Sequence, residues 1–458
     1  MRALTTLINK AQIHVPALAL VALAILIKTS LLLSIPSQSI LMENDSLRYL
    51  RISEEFGSVF FGGKSNLDSF FITPGYPLFL SMFSSENLKL IIFCQFLLLG
   101  ISQVLLFKMI VKHTSIKVAY IGLVVFLIES SSTLEAFNLL TETLFNFIFV
   151  LFLYLFGNGT SKNHAFYTSG LILGLALIVR PVGQILLIPL LLMVVLKAWR
   201  RHVLIVLLIA VAVSSTWIIR NQIVFGVPQL SGIQSLNLLQ FEGAGAFAKE
   251  NHISLKEAQA KESRLEIDTV GESASIQTVV EYRVDRGVHL ILSNPTGFIK
   301  LHLEGAVKIL MGPGSANINK LTAHLAPSEL VTNALEALIV LMRLLVTSWV
   351  CVCIFLAAKR REFVPIQFYS MVSWILILIS SGGANAYSRF RVPLVPLEII
   401  IICIGLSSPY QRALVEKITS RIKSAIRDLK GQANSVAVND SPTQGMAQNR
   451  RVEIGIEE

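Results

Sequence analysis

The chain has 458 residues, of which 53% are hydrophobic and 15% are charged. Soluble domains carry about 25% charged residues, so this composition excludes a soluble protein and indicates a polytopic membrane protein. The formal net charge of +10 lies mainly in short loops between apolar segments and in the C-terminal tail, which is typical of membrane topology and not of nucleic-acid binding. All four cysteines lie in apolar segments, so they predict neither a disulfide framework nor a metal site.

Ten apolar segments predict about ten membrane-spanning helices, since roughly 20 apolar residues cross a bilayer. The segments are 13–35, 88–110, 117–131, 137–156, 165–180, 182–197, 203–219, 331–357, 363–381 and 392–408. No small-residue cleavage site follows the first segment, which predicts an uncleaved span. The loop 36–87 is mainly acidic and alternate loops are basic, so the positive-inside rule places both termini in the cytoplasm.

Residues 165–197 could form one long span or two short ones. One span would put the basic cluster Lys197, Arg200 and Arg201 outside, against the charge pattern. Two spans that meet at Arg180-Pro181 keep the pattern, and proline readily ends a helix. The sequence therefore predicts a break at this dipeptide, with Arg180 at the outer face.

Outside the spans, the chain has two further regions. Residues 220–330 have mixed charge and helical periodicity, and we expect them on the outer side with the loop 36–87. Residues 409–430 predict a basic amphipathic helix suited to an anionic inner leaflet. The following segment, 431–458, is rich in Ser, Asn, Gln and Gly and predicts disorder. Residues 1–408 form the predicted transmembrane domain.

Polar residues that suit chemistry collect at the predicted outer face, in the outer loops and at the ends of the spans that border them. They are Asp45, Thr73 to Pro77, Glu129, Glu135, Glu142, Arg180, Arg220, Asn221, Tyr387, Arg389 and Arg391. The planar fork of arginine matches phosphate oxygens, and a carboxylate can take the proton of an attacking hydroxyl. Together they predict a site for an anionic lipid-phosphate head group and a reacting hydroxyl.

Each of these residues also has a purely structural interpretation. Asp45 could be a solvated acid in a long loop, and arginines at span ends are commonly interfacial anchors. Glu142 could cap the N-terminus of its helix together with Thr141, where negative charge is favoured. The turn at Thr73-Pro74-Gly75 could serve the fold alone.

In order along the chain, six short pieces resemble the GT-C superfamily of membrane glycosyltransferases. The similarity is greatest to the glycosyltransferase family 39-like group, which holds the protein O-mannosyltransferases and the lipid A aminoarabinose transferases. The pieces are Asn44-Asp45-Ser46-x-x-Tyr49, Pro74-Gly75-Tyr76-Pro77-Leu78, Leu140-Thr141-Glu142-Thr143-Leu144-Phe145, Val179-Arg180-Pro181, Arg220-Asn221 with Val224-Phe225-Gly226, and Arg389-Phe390-Arg391-Val392-Pro393.

The resemblance implies an all-α GT-C-type bundle in the plasma membrane with an extracytoplasmic active site. It implies an inverting hexosyl- or pentosyltransferase that uses a polyprenyl-phosphate-linked sugar donor. Asp45 would be the catalytic base, and Glu142 would support the acceptor or the geometry of the site. Donor-phosphate ligands would be Arg180, Arg389 and Arg391. Substrate-binding or structural roles would fall to Tyr49, Pro74, Tyr76, Arg220, Asn221 and Tyr387.

Two departures from the family pattern leave parts of this prediction open. Many relatives have an Asp-Glu pair in the first outer loop, where this chain has Asp45-Ser46. We therefore assign no metal ligand, and a divalent cation stays open as a cofactor. The segment 220–330 is short beside the outer domains of relatives, so the acceptor stays open among lipid, glycan and protein.

Two other functions compete with this interpretation. An envelope-glycan polymerase or ligase would share the spans, the outer arginines and a long outer loop, but would take lipid-diphosphate glycans. A transporter of lipids or glycans would place polar residues at the bilayer midplane and often shows internal repeats. The sequence has no such repeat and its polar groups cluster at one face, so the transporter ranks last.

Overall fold

The computed structural model describes residues 2–37, 40, 44–61, 67–159, 163–196, 200–323, 327–360, 363–384 and 386–407. Within these ranges all regular secondary structure is helical. The chain divides into two compact units, Met1–Gly405 and Leu406–Glu458. Nearly all of the second unit, including the predicted helix 409–430 and the tail 431–458, lies outside the described residues.

The α-helices follow one another with short connections. In chain order they are α1 (Arg2–Ser34), α2 (Asn44–Glu54), α3 (Phe56–Phe61), α4 (Asp68–Phe71), α5 (Gly75–Leu80), α6 (Leu88–His113), α7 (Ile116–Ile128), α8 (Ser130–Glu135), α9 (Glu142–Asn158), α10 (Asn163–Val179), α11 (Leu187–Val195), α12 (Arg200–Phe225), α13 (Ile233–Asn237), α14 (Ala244–Glu250), α15 (Leu255–Val270), α16 (Ile276–Ser293), α17 (Pro295–Met311), α18 (Ser315–Thr322), α19 (Glu329–Arg360), α20 (Pro365–Ser380) and α21 (Leu394–Ser407). Short 3₁₀ turns cover Pro181–Leu186 and Ser388–Arg391, and a π-helical turn covers Leu238–Gly243.

Within the described residues, ten apolar helices occupy the ten predicted positions. Four are long and apolar enough to cross a membrane: Val15–Ser34, Leu88–His113, Arg201–Phe225 and Glu329–Arg360. The shorter ones are Ile116–Ile128, Glu142–Asn158, His164–Val179, Pro181–Val195, Pro365–Ser380 and Leu394–Ser407. The prediction of an all-helical membrane protein with about ten apolar helices is thereby confirmed. The side of the membrane on which each loop lies stays a prediction.

Two predicted boundaries were wrong. The span predicted at 137–156 begins at Glu142, because the preceding residues form a turn instead of a helix. The amide Nε2 of Gln95 holds this turn by donating to the carbonyl of Asn138 at 2.8 Å and to that of Ala136 at 3.1 Å. At the other boundary, α12 continues to Phe225, beyond the predicted end at 219.

Small residues allow the central helices to pack closely. Gly170 and Gly174 lie one turn apart on α10, where it packs against α12. A Cβ atom on Gly174 would lie 2.5 Å from the Cβ of Val213 and 3.1 Å from the carbonyl oxygen of Ala210. Small residues four positions apart commonly let helix backbones approach closely in lipid. Such packing matters there because the hydrophobic effect contributes little to helix association in lipid.

An aromatic stripe on α9 fills the centre of the bundle. Phe145, Phe149, Phe152 and Phe156 are buried at helical spacing, and successive rings stack with centroids 5.5–6.2 Å apart. The ring of Tyr369 on α20 meets two of them. Such contacts add dispersion energy over a large buried area, so they fix α9 and with it the position of Glu142 at its first turn.

Candidate active site

Four separate elements bring charged side chains together at one place. Asp45 and Tyr49 come from α2, Glu142 from the start of α9, Arg180 from the break after α10, and Arg389 from the 3₁₀ turn Ser388–Arg391. These five residues are called the charged cluster below. All were predicted from the sequence as site residues, and the structure brings them together.

Glu142 is the centre of the charged cluster. Its carboxylate Oε1 lies 2.9 Å from Nη1 of Arg180 and 4.0 Å from Nε of Arg389. The Glu142 side chain is 3% exposed and that of Arg180 is 10% exposed. A buried carboxylate is costly unless it is paired, and here one acid serves two guanidinium groups. Thr141 makes no side-chain capping bond, so helix capping alone does not account for Glu142.

The break at Arg180 lies where the sequence predicts it. Arg180 has extended backbone angles, φ −145° and ψ 115°, and Pro181 opens the following 3₁₀ turn. The turn at Thr73 to Gly75 packs on the helix end just before it: the Thr73 hydroxyl donates to the carbonyl of Val179 at 3.1 Å. Pro74 caps α5 and keeps this turn rigid. The turn therefore fixes the direction in which Arg180 leaves α10.

Only glycine fits at position 75. A Cβ atom there would lie 2.6 Å from Cγ2 and 2.9 Å from Cα of Val179, and 3.0 Å from the carbonyl oxygen of Ile178. Two of these three atoms belong to the backbone, so a side-chain rotation alone would not relieve the clash.

Tyr49 and Tyr76 lie beside the charges. Their rings meet edge to face, with centroids 5.1 Å apart and an interplanar angle of 83°. The hydroxyl of Tyr76 donates to Oε1 of Gln95 at 3.1 Å. Burial raises the pKa of both phenols, and the negative charge of Asp45 adds to the rise at Tyr49. Both phenols therefore stay protonated at neutral pH and serve as hydroxyl donors, not as bases.

Arg389 is held by an aromatic ring and by carboxylates. Its Cζ lies 5.2 Å from the centre of the Phe390 ring, and the Cζ of Arg180 lies 5.4 Å from the same ring. Tyr387, which is 56% exposed, is farther from Arg389 at 5.9 Å. Burial alone would lower the pKa of Arg389, but the charges of Glu142 and Asp45 raise it above its usual value. The buried Nε of Arg389 donates no hydrogen bond within the described part of the chain.

Asp45 is the exposed member of the cluster. It lies in the first turn of α2, one helical turn before Tyr49 on the same face. Its charge acts on the pKa of both Tyr49 and Arg389, which marks it as their neighbour. Among the described residues it makes no hydrogen bond or ion pair, so its oxygens are open to a substrate.

Glu135 borders the cluster in a role that the sequence did not reveal. Its carboxylate accepts hydrogen bonds from Nδ2 of Asn138 at 3.0 Å and of Asn317 at 2.8 Å. Burial, with the added effect of the Glu142 charge, raises the pKa of Glu135 to about 7. The sequence identified it only as an acid flanking a turn, and its partner on α18 is 182 positions away.

Arg391 lies apart from the charged cluster. The side chain is fully buried, 3.4 Å from Oε1 of Glu129, and its Nη1 donates to the carbonyls of Ile309 and Gly312, both at 2.9 Å. These contacts hold the C-terminal end of α17, where cations are favoured. Its predicted role as a donor-phosphate ligand has no support in this geometry, and we omit Arg391 from the site proposed below.

Arg220 and Asn221 serve the fold. The Nη2 atom of Arg220 donates to Oγ of Ser69 at 2.9 Å, and its Cζ lies 4.9 Å from the Trp217 ring. Asn221 is fully buried and donates to the carbonyl of Gln229 at 2.8 Å. Both residues therefore tie the end of α12 to neighbouring loops.

The donor set does not fit a divalent cation. Within the described ranges, no group of three or more His, Cys, Asp or Glu side chains is arranged to hold a metal ion. The central acid, Glu142, faces two guanidinium groups, whose charge repels a metal ion. No step below uses a metal.

No protein-family model matches the sequence, and no curated protein matches it. The structure is similar to the archaeal oligosaccharyltransferase AglB from Archaeoglobus fulgidus in complex with an inhibitory peptide and a dolichol-phosphate, with a TM-score of 0.46, 14% identity and coverage of 89% of this chain. It is also similar to the Archaeoglobus fulgidus oligosaccharyltransferase tethered to an acceptor peptide with the NVT sequon, with a TM-score of 0.46, 11% identity and coverage of 85%. The same enzyme in complex with Zn and sulfate gives a TM-score of 0.44, 14% identity and coverage of 90%. This chain spans about half the length of these solved chains, which it covers to 52%, 49% and 51%. A likeness at this level assigns no function.

Proposed function

We propose that the protein is an integral membrane glycosyltransferase of the GT-C type. It moves a sugar from a polyprenyl-phosphate donor to a hydroxyl group of an acceptor on the extracytoplasmic face. The observation that carries the proposal is the charged cluster, in which the buried Arg180 and the half-buried Arg389 share one carboxylate. Beside them lies an exposed Asp45 that makes no hydrogen bond or ion pair with the described residues.

The two cations of the charged cluster suit a lipid monophosphate. Arg180 and Arg389 carry two positive charges, and Glu142 pairs with both. Asp45 adds a second negative charge at the exposed side, so the cluster as a whole is neutral. A sugar joined to a lipid through a phosphodiester brings one negative charge to these groups and a lipid diphosphate brings more, so repulsion by the two carboxylates favours the transferase over a polymerase or ligase.

The same groups favour departure of the phosphate. When the bond between sugar and phosphate oxygen breaks, the phosphate gains a second negative charge. The Nε atom of Arg389 donates no hydrogen bond to the described residues, and guanidinium groups donate to phosphate oxygens in a matching planar geometry. Donors fixed in place in a buried site stabilise charge that develops during the reaction more than charge already present.

Asp45 acts as the base. It takes the proton of the acceptor hydroxyl while the hydroxyl oxygen attacks the anomeric carbon from the side opposite the phosphate. One carbon–oxygen bond forms, the bond to phosphate breaks, and the configuration inverts. The hydroxyl of Tyr49, one turn away on α2, can donate to the sugar or the acceptor, because its phenol stays protonated.

The test compares Asp45→Asn with Glu54→Gln, which removes a charge from an exposed acid on the same helix. Both variants and the wild-type protein are reconstituted in nanodiscs with radiolabelled lipid-linked sugars extracted from the source membranes. We expect Asp45→Asn to lose at least about 100-fold in transfer with normal abundance, as for loss of a general base. Glu54→Gln should keep full activity. Retained activity in Asp45→Asn would exclude it as the base.

A further inference from the structure

A cavity lies within the segment that follows α12, beside residues 383–384. It has a volume of about 370 Å³ and lies among α14, α17 and residues 383–384. No member of the charged cluster lines it. The volume is at the lower end of the range for small-molecule sites, about 300–1,000 Å³.

The polar lining of this cavity mixes donors with one acceptor. Nζ of Lys249 lies 2.5 Å from Oε2 of Glu304, and the two side chains are 37% and 50% exposed. Hydrogen bonding to Lys249, with the added charge of Lys308, lowers the pKa of Glu304, so its carboxylate is ionised at neutral pH. Two ammonium groups and one carboxylate leave one positive charge at the cavity.

His252 is placed at the cavity at a cost in backbone strain. Its φ is +56°, and it is the only residue other than glycine with positive φ in the described ranges. It follows the end of α14, where the amide of Ile253 donates to the carbonyl of Ala248 at 3.1 Å. Glycine usually occupies this position, because a side chain makes the left-handed conformation unfavourable. Strain of this kind clusters at ligand sites.

The remaining lining is apolar and comes from Leu301, Ile253 and Leu255. A sugar ring has one apolar C–H face and an edge of hydroxyl groups that both donate and accept. Ammonium and imidazole donors, a carboxylate acceptor and an apolar wall match these two surfaces. The net positive charge matches one acidic substituent.

We propose that this cavity binds a mono- or disaccharide unit carrying one negative charge, as a subsite separate from the charged cluster. The choice of a saccharide rests on the proposed function, since a sugar-transferring protein must hold carbohydrate on its donor or its acceptor.

Binding is measured on the full chain in nanodiscs by saturation-transfer NMR with three probes: D-glucuronate, D-glucose and acetate. Glucuronate has both the sugar ring of glucose and the carboxylate charge of acetate. We expect glucuronate to bind at least 10-fold more tightly than glucose and at least 10-fold more tightly than acetate. Equal binding of glucuronate and acetate, or no binding of glucuronate, would overturn the proposal.

Two variants locate the site. Lys308→Ala removes the lysine that lines the cavity but is not ion-paired with Glu304. His252→Gly removes the imidazole and relieves the backbone strain. Both should weaken glucuronate binding at least fivefold, while His252→Gly keeps or raises thermal stability. Lys300→Ala, an exposed lysine on the same helix α17 outside the cavity, is the control and should bind as the wild type does. Unchanged binding in both cavity variants would overturn the proposal.

This outcome separates from that of the proposed function. Asp45→Asn should lose transfer and keep glucuronate binding, because Asp45 does not line the cavity. Full transfer by this variant together with normal binding would remove the base and leave the cavity site standing. Loss of transfer by Asp45→Asn, together with no glucuronate binding by the wild-type protein, would support the base and remove the cavity site.

Discussion

Removing the charge of Glu142 should destabilise the protein strongly, because this buried carboxylate is the counter-ion of two arginines. The substitution Glu142→Gln keeps the shape of the side chain and removes the charge. Arg180 at 2.9 Å and Arg389 at 4.0 Å then lose their shared partner. Arg180 is 10% exposed and Arg389 is 24% exposed, so little water can replace the carboxylate at Arg180 and more can do so at Arg389.

The magnitude follows from these distances. At an effective dielectric constant of about 20, unit charges attract by about 6 kcal/mol at 2.9 Å and about 4 kcal/mol at 4.0 Å. The cost of desolvating the three groups offsets much of this attraction. Removing one partner from a buried pair costs about 3–5 kcal/mol, and we expect Glu142→Gln to fall in that range. The cost comes mainly from the guanidinium charges left unpaired.

A double-mutant cycle measures the coupling directly. The apparent free energy of unfolding in mixed micelles is determined for Glu142→Gln, for Arg180→Gln and for the double variant. The double variant should be more stable than the sum of the single losses predicts, by about 2 kcal/mol or more. Glu266→Gln is the control, because the Arg283–Glu266 pair on α15 and α16 is more exposed, at 15% for both side chains. Because Arg283 bonds to Glu266 through two nitrogen atoms, the loss in Glu266→Gln should exceed that of an open surface pair but stay below the loss in Glu142→Gln. Additive losses at Glu142 and Arg180 would refute this account of the cluster.

Three further predictions concern the surroundings of the cluster. Gly75→Ala should lower the free energy of unfolding by about 1–3 kcal/mol and lower transfer at least 10-fold. The reason is that a Cβ atom 2.6 Å from Val179 would displace the turn beside Arg180. Full transfer activity would contradict this prediction. The donor KM should rise above pH about 7, where Glu135 ionises and repels an anionic donor, and Glu135→Gln should flatten the pH profile. Because the folded-state pKa of Glu135 is raised, its contribution to stability is present at low pH and is lost as the pH rises through about 7. Arg391→Lys should lower the unfolding midpoint and leave the donor KM unchanged, since this residue binds helix carbonyls; a raised KM would restore it to the site.

Much of the fold could be predicted because it depends on local rules. Long apolar segments predict helices in lipid, and Arg180-Pro181 predicts a break because proline has no amide proton to donate. Asp45, Glu142, Arg180 and Arg389 all lie in loops or at span ends that the charge pattern assigns to one side. That common side was enough to expect them near one another.

Other parts of the site depend on the direction in which a side chain leaves the backbone and on contacts between residues far apart in the sequence. Arg389 and Arg391 look like a pair in the sequence, but the 3₁₀ turn sends one to Glu142 and the other to the end of α17. The bond between Asn317 and Glu135 joins positions far apart, and no local pattern marks it. Such contacts are decided by how helices pack.

The central claim is that the charged cluster holds the phosphate of a polyprenyl lipid. The most direct measurement is the binding of polyprenyl phosphate and of polyprenol to the protein in nanodiscs, which needs no knowledge of the sugar. We predict that the phosphate form binds at least 10-fold more tightly than polyprenol. Arg389→Gln should abolish this preference, whereas Arg283→Gln, a control in the ion-paired helix α16, should keep it. Equal binding of the two lipids by the wild-type protein would contradict the claim.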